Sequence, residues 1–113
     1  MRSTTHPKKQ MKLLTKDIKR RLPPLYSTED QTADAKTFVC KFFDPCGSWT
    51  WYVVEGEEQP DGDWLFFGLV AGFEKEWGYF RLSELEGVRG SHGFSLGIER
   101  DIHFSNEPSY RYA

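Results

Sequence analysis

The chain has few of the side chains from which reactive centres are usually built. Cysteine occurs twice in 113 residues, at Cys40 and Cys46, and histidine three times, at His6, His92 and His103. A C-x5-C spacing with scattered histidines fits no zinc pattern, so both thiols are expected to be free, Cys40 packed in a strand and Cys46 in a turn. Phosphate-loop and nucleophile-elbow signatures are missing, and no cofactor is implied. The longest nearly apolar run, residues 64–73, is interrupted by Gly68 and Gly72 and falls far short of the roughly 20 residues a membrane helix needs. Leu13 and Leu14 are followed at once by Lys16 and Asp17, which is no secretory signal. A cytoplasmic protein without membrane contact is expected. The length matches one small domain.

Aromatic side chains are plentiful. Residues 49–80 hold all four tryptophans and ten aromatic residues in total, threaded with Glu55, Glu57, Glu58, Asp61, Asp63, Glu74 and Glu76. Charge is divided. Residues 1–25 carry Arg2, Lys8, Lys9, Lys12, Lys16, Lys19, Arg20 and Arg21 against Asp17 alone, a net of +7, whereas the remainder carries seven basic and sixteen acidic residues, a net of −9. A basic head on an acidic body either folds back on itself or offers an electrostatic handle to a partner.

Periodicity predicts an α+β domain. Residues 1–10 have no apolar stripe and read as a disordered extension to a single domain at 11–113. Leu14, Ile18 and Leu22 recur every fourth residue, with Thr15 as N-cap, Asp17 in the first turn and Lys19, Arg20 and Arg21 in the last, so a short helix ends at Pro23-Pro24. Residues 26–36 read as a loop. Strands are predicted at 37–43, 49–55, 64–71 and 77–82, joined by short turns into an antiparallel meander. In the second, Trp49, Trp51 and Val53 face one way and Thr50, Tyr52 and Val54 the other; in the third, Trp64, Phe66 and Val70 oppose Leu65, Phe67 and Leu69. Both faces are therefore apolar, and the sheet requires cover on each side or presents an aromatic surface to a partner. Ser83-Glu84-Leu85-Glu86 matches a capping box and predicts a short helix after the fourth strand. The glycine-rich stretch 87–97 reads as a loop, and 98–104 as a last short strand that brings the sheet to four or five strands.

M-K-L-L-T-K from Met11, L-P-P-L-Y-S-T-E-D at 22–30, K-F-F at 41–43 and W-T-W-Y-V-x-E-G-E at 49–57 are distinctive blocks. D-G-D-W-L-F-F-G at 61–68, E-K-E-W-G-Y-F at 74–80, L-S-E-L-E-x-V-R-G at 82–90 and I-E-R-D at 98–101 extend the pattern. Together they resemble the bacterial family called domain of unknown function 2958, from Met11 to about Phe104. The resemblance implies a small protein often encoded on plasmids and integrative elements, and brings no catalytic residues with it.

Three groupings compete as sites. The carboxylates of 55–63 surround a predicted hairpin and could offer oxygens to a hard cation, although the D-x-D-x-D-G loop is missing; a solvated turn set by Asp61-Gly62 is the simpler reading. Arg89, Ser91, His92 and Arg100 place an imidazole, a hydroxyl and two guanidiniums on or beside the glycine-rich loop, where arginines paired to nearby glutamates are the simpler reading. Lys12, Lys16, Lys19, Arg20 and Arg21 could neutralise phosphates while sheet aromatics stack bases, set against an ordinary solvated helix face over a core. The reading adopted is a non-catalytic binding module of a mobile element, with a protein or nucleic acid as partner through Lys12, Lys16, Lys19, Arg20, Arg21, Arg89, His92 and Arg100. Two other classes remain: an acidic decoy that imitates DNA charge to inhibit a restriction-type defence protein, and a small metal-dependent hydrolase or nuclease using His92 and the acidic turn.

Overall fold

The computed structural model describes residues 12–88 and 97–113. Helix α1 (Lys16–Arg21) begins where Thr15 Oγ1 accepts a hydrogen bond from the Ile18 amide at 3.2 Å and ends two residues before Pro23, with Leu22 as C-cap. Strands β1 (Thr37–Phe38), β2 (Cys40–Phe43), β3 (Thr50–Glu58), β4 (Trp64–Ala71) and β5 (Lys75–Arg81) follow, then helix α2 (Leu82–Glu86) and the short strands β6 (Glu99–Arg100) and β7 (Glu107–Pro108). The main sheet is antiparallel, in the order β5-β4-β3-β2-β6, a meander with one added edge strand. Gly62, at φ 88°, turns β3 into β4, and the Asp63 amide donates to Asp61 Oδ1 at 3.0 Å.

Three details depart from the expected pattern. The first predicted strand breaks at Val39, and its opening piece, β1, leaves the sheet to pair with β7. The helix after β5 begins two residues earlier than the Ser83 capping box predicts, with Arg81 as N-cap: the Arg81 amide donates to Glu84 Oε1 at 2.7 Å, and Ser83 Oγ, inside the first turn, donates to Asp63 Oδ2 at 2.6 Å instead. Most consequential is an extra residue in β3. Val53 pairs with Gly68 but Glu55 pairs with Phe67, so Val54 is a β-bulge and the side-chain alternation changes phase there.

The sheet is covered on both faces. On one, α1 and the segment before it lay Leu13, Leu14, Ile18 and Leu22 over Val53, Phe66 and Phe80, joined by Leu85 of α2 and by Ile98. On the other, Phe38, Val54 and Leu69 form a second core flanked by Tyr52, Phe67, Trp77, Phe104 and Tyr112. The C-terminus is fastened through Ser109, which is fully buried: its hydroxyl donates to Ala33 O at 2.7 Å and accepts from the Lys36 amide at 3.0 Å. Trp51 and Trp64 are only half-buried and pack against the border of the first core, whereas Phe42 and Phe66 are fully buried. Phe66→Ala is therefore expected to cost about 3–5 kcal/mol, and Trp64→Ala distinctly less, in urea unfolding followed by circular dichroism.

Candidate functional site

The bulge determines what the centre of the second face contains. By the alternation of the inner strand, Glu55 belongs with Trp51 and Val53; after Val54 it shares instead the cross-strand row Glu55–Phe67–Tyr79. Glu55 is thus not part of a solvated acidic hairpin. It is 2% exposed. Its carboxylate accepts from the Tyr26 amide at 2.7 Å, from the Thr28 amide at 3.0 Å and from the Thr28 hydroxyl. The Lys36 ammonium, also buried, donates to Thr28 O at 2.8 Å and lies 5.7 Å from the centre of the Phe67 ring. Tyr26 is held at φ 70°, left-handed backbone that a bulky residue adopts only under constraint, with its ring 6.0 Å from that of Tyr79. Burial first, and then the neighbouring Tyr26, Glu55 and Glu29, push the Tyr79 hydroxyl above its ordinary pKa. A carboxylate receiving three hydrogen bonds is a clamp for the segment from Tyr26 to Thr28.

Two further carboxylates of the acidic turn, Glu57 and Asp63, are also engaged. Leu25 N donates to Glu57 Oε1 at 3.2 Å. Asp63 accepts from Ser83 Oγ, Ser83 N and Trp64 N, and the Ser83 hydroxyl is the chief reason its carboxyl lies below the usual carboxylate range. Among the described residues no three of His, Cys, Asp and Glu converge as metal ligands.

A second grouping lies between α1 and the 101–105 turn, where a cleft of about 280 Å³ is bordered by Asp17, Arg21, Cys40, Arg100 and Asp101. Its two guanidiniums are engaged. Arg21 reaches Asp17 at 3.0 Å, Asn106 Oδ1 at 2.9 Å and Val39 O, while Arg100 donates to the carbonyls of Lys12 and Leu13. Burial pushes the Cys40 thiol up to about 12, only partly offset by Arg21 and Arg100, so it stays protonated.

The sequence-derived cationic residues thus fall into separate roles. Arg20 and Arg21 share Asp17, Arg100 anchors the N-terminal segment, and Arg89 and His92 lie outside the described residues, as do residues 1–10 with Lys8 and Lys9. Lys12, Lys16 and Lys19 are exposed, Lys19 standing 5.5 Å over the Trp64 ring. Among the described residues no ion pair joins residues 12–25 to a carboxylate beyond them. Within residues 12–25, therefore, the cations are not neutralised by direct pairing to the acidic body among the described residues. Sequence reasoning missed Tyr26, Thr28 and Lys36 around Glu55; the one signal for them was the pair of adjacent apolar residues, Val53-Val54, that interrupts alternation just before Glu55-Gly56.

Residues 13–111 match the family model described as Protein of unknown function (DUF2958), and the chain belongs to that family. No curated protein and no solved structure matches it.

Two outcomes test the chemistry assigned here. Glu55→Gln, which turns an amide donor toward the Tyr26 and Thr28 donors, is expected to destabilise the fold by about 1–3 kcal/mol in urea unfolding. With a thiol reagent at pH 8, the native chain is expected to label at Cys46 alone, which is exposed, and at Cys40 only in denaturant.

Proposed function

We propose that this member of the family is a non-catalytic binding module of a mobile genetic element, and that its partner on the N-terminal face is a nucleic acid. The observation that carries the reading is the set Lys12, Lys16 and Lys19: three exposed ammonium groups without a carboxylate partner among the described residues, next to arginines that are paired. Free ammonium groups on a helix face are suited to phosphates, since each phosphate neutralised releases condensed counterions. The sheet does not add a base-stacking platform on that side, because Phe42, Phe66 and Phe80 are core residues beneath α1. Binding through phosphates alone is indifferent to sequence.

A decoy that imitates DNA charge is the second reading. It draws support from Glu57, Glu58 and Asp61, which are exposed together at the β3–β4 hairpin. The hydrolase reading has less behind it, since Glu55 and Asp63 hold the fold and His92 is outside the described residues.

Lys12, Lys16 and Lys19 changed together to Gln should leave the melting temperature unchanged, weaken binding to every DNA or RNA sequence alike, and lower the slope of log K against log salt by about 2 to 3. Gel-shift titrations at two salt concentrations measure this. No wild-type binding at low salt would remove nucleic acid and leave a protein partner.

A further inference from the structure

At the end of the meander away from the Glu58–Trp64 pair, the turns before β3 and after β4 bring Trp49 and Phe73 together. Trp49 lies flat against Gly72, where an added Cβ would sit 2.5 Å from the indole carbons, so only glycine leaves room for the ring. The indole is backed by Trp51 at 6.2 Å and meets Phe73 edge-on, at 5.7 Å and 80°. Phe73 is 95% exposed, the most exposed of the large apolar side chains described.

Beside the two rings opens a hollow of about 180 Å³ whose other walls are Val70, Glu74 and Glu76. Register places Glu76 there: Trp51, Val70 and Glu76 form one cross-strand row. Among the described residues neither Glu74 nor Glu76 has a cationic partner, and the cation between them, Lys75, donates instead to Tyr112 O at 2.6 Å, on the face of the second core. Two perpendicular aromatic rings and two unneutralised carboxylates around one hollow are complementary to positive charge.

We propose that this hollow receives a cationic side chain, foremost an arginine, presented by a partner protein. A planar guanidinium stacks on the indole face while its N–H groups reach the carboxylates, which neither a neutral nor an anionic group can do. The hollow is too small and open to enclose a metabolite, since ligand sites of that kind run to roughly 300–1,000 Å³, but it suits one projecting side chain. Phe73 then serves as the exposed anchor of the contact. This surface is separate from the lysines of the N-terminal face and does not depend on them.

The test titrates the full-length, ¹⁵N-labelled chain with the capped peptide Gly-Gly-Arg-Gly-Gly and with the same peptide carrying citrulline, the neutral isostere, for arginine. The arginine peptide is expected to shift the Trp49 indole N–H saturably at millimolar concentration. Citrulline should abolish the shift, and Phe73→Ala or Glu76→Gln should weaken binding at least fivefold without altering the circular dichroism spectrum. No shift at Trp49, equal binding of the citrulline peptide, unchanged affinity in both variants, or shifts confined to the Glu57–Asp61 turn would each overturn the proposal.

Discussion

One extra residue in β3 sets the arrangement of everything around it. Before Val54 the strand gives Trp51 and Val53 to the face beneath α1 and Tyr52 to the other; after it, Glu55 turns to the second face and Gly56 to the first. Gly56 then lies under Leu22 and Phe66, where a Cβ would stand 3.0 Å and 2.8 Å from their side chains, so the end of α1 closes directly onto the backbone. On the reverse side Glu55 meets the segment that leaves α1 after Pro23-Pro24. A carboxylate so buried is stable only where donors surround it, and Tyr26 and Thr28 supply them. The bulge thus ties the helix to one face and the loop that follows it to the other, through two consecutive residues.

That arrangement also explains the division of charge. Carboxylates on the inner part of β3 are used to hold backbone: Glu55 takes Tyr26 and Thr28, and Glu57 takes Leu25. They meet the loop after α1, not its cations. The helix attaches through Ile18 and Leu22, with Arg20 and Arg21 satisfied by Asp17 on the same helix. Exposed ion pairs of this kind contribute little to stability, about 0.2–1 kcal/mol each. Among the described residues, these pairs within α1 are accordingly a weak restraint on the fold, and Lys12, Lys16 and Lys19 have no carboxylate partner.

What could be read from sequence followed from local rules. The Thr15 cap, the Leu14–Ile18–Leu22 stripe and the Pro23 stop act within a few residues, and α1 lies where they place it. Strand β4 runs over Trp64–Ala71 as its aromatic and β-branched content predicts. What was not legible depends on distant partners. Ser109 is a small polar residue with no local signature, yet it binds Ala33 and Lys36, more than seventy positions away. Tyr112 looks like a tail residue until Phe38 and Tyr52 are seen beside it. Glu55 reads as part of a solvated turn because it opens a run of carboxylates, and its burial follows from a bulge that only the pairing with β4 reveals. For the candidate site the basic stripe was legible, but the further bonds of Arg21 to Asn106 and the carbonyl of Val39 were not, since both are remote in sequence.

The two surfaces occupy different edges of one sheet. The cationic stretch begins where Arg100 of the β6 edge grips the Lys12 carbonyl and extends toward Trp64, whereas the aromatic hollow lies at the tip of the β4–β5 hairpin. A nine-residue strand spans roughly 25–30 Å, which separates Trp64 from Phe73 by more than a Debye length at physiological salt. Charges that far apart neither repel nor recruit one another's ligands appreciably. Under the two proposals, a polyanion on the lysines and a cationic chain on the hollow are held at once without competing. Both proposals thus place cations and carboxylates on separate parts of one two-faced sheet, so that each is tested without disturbing the other.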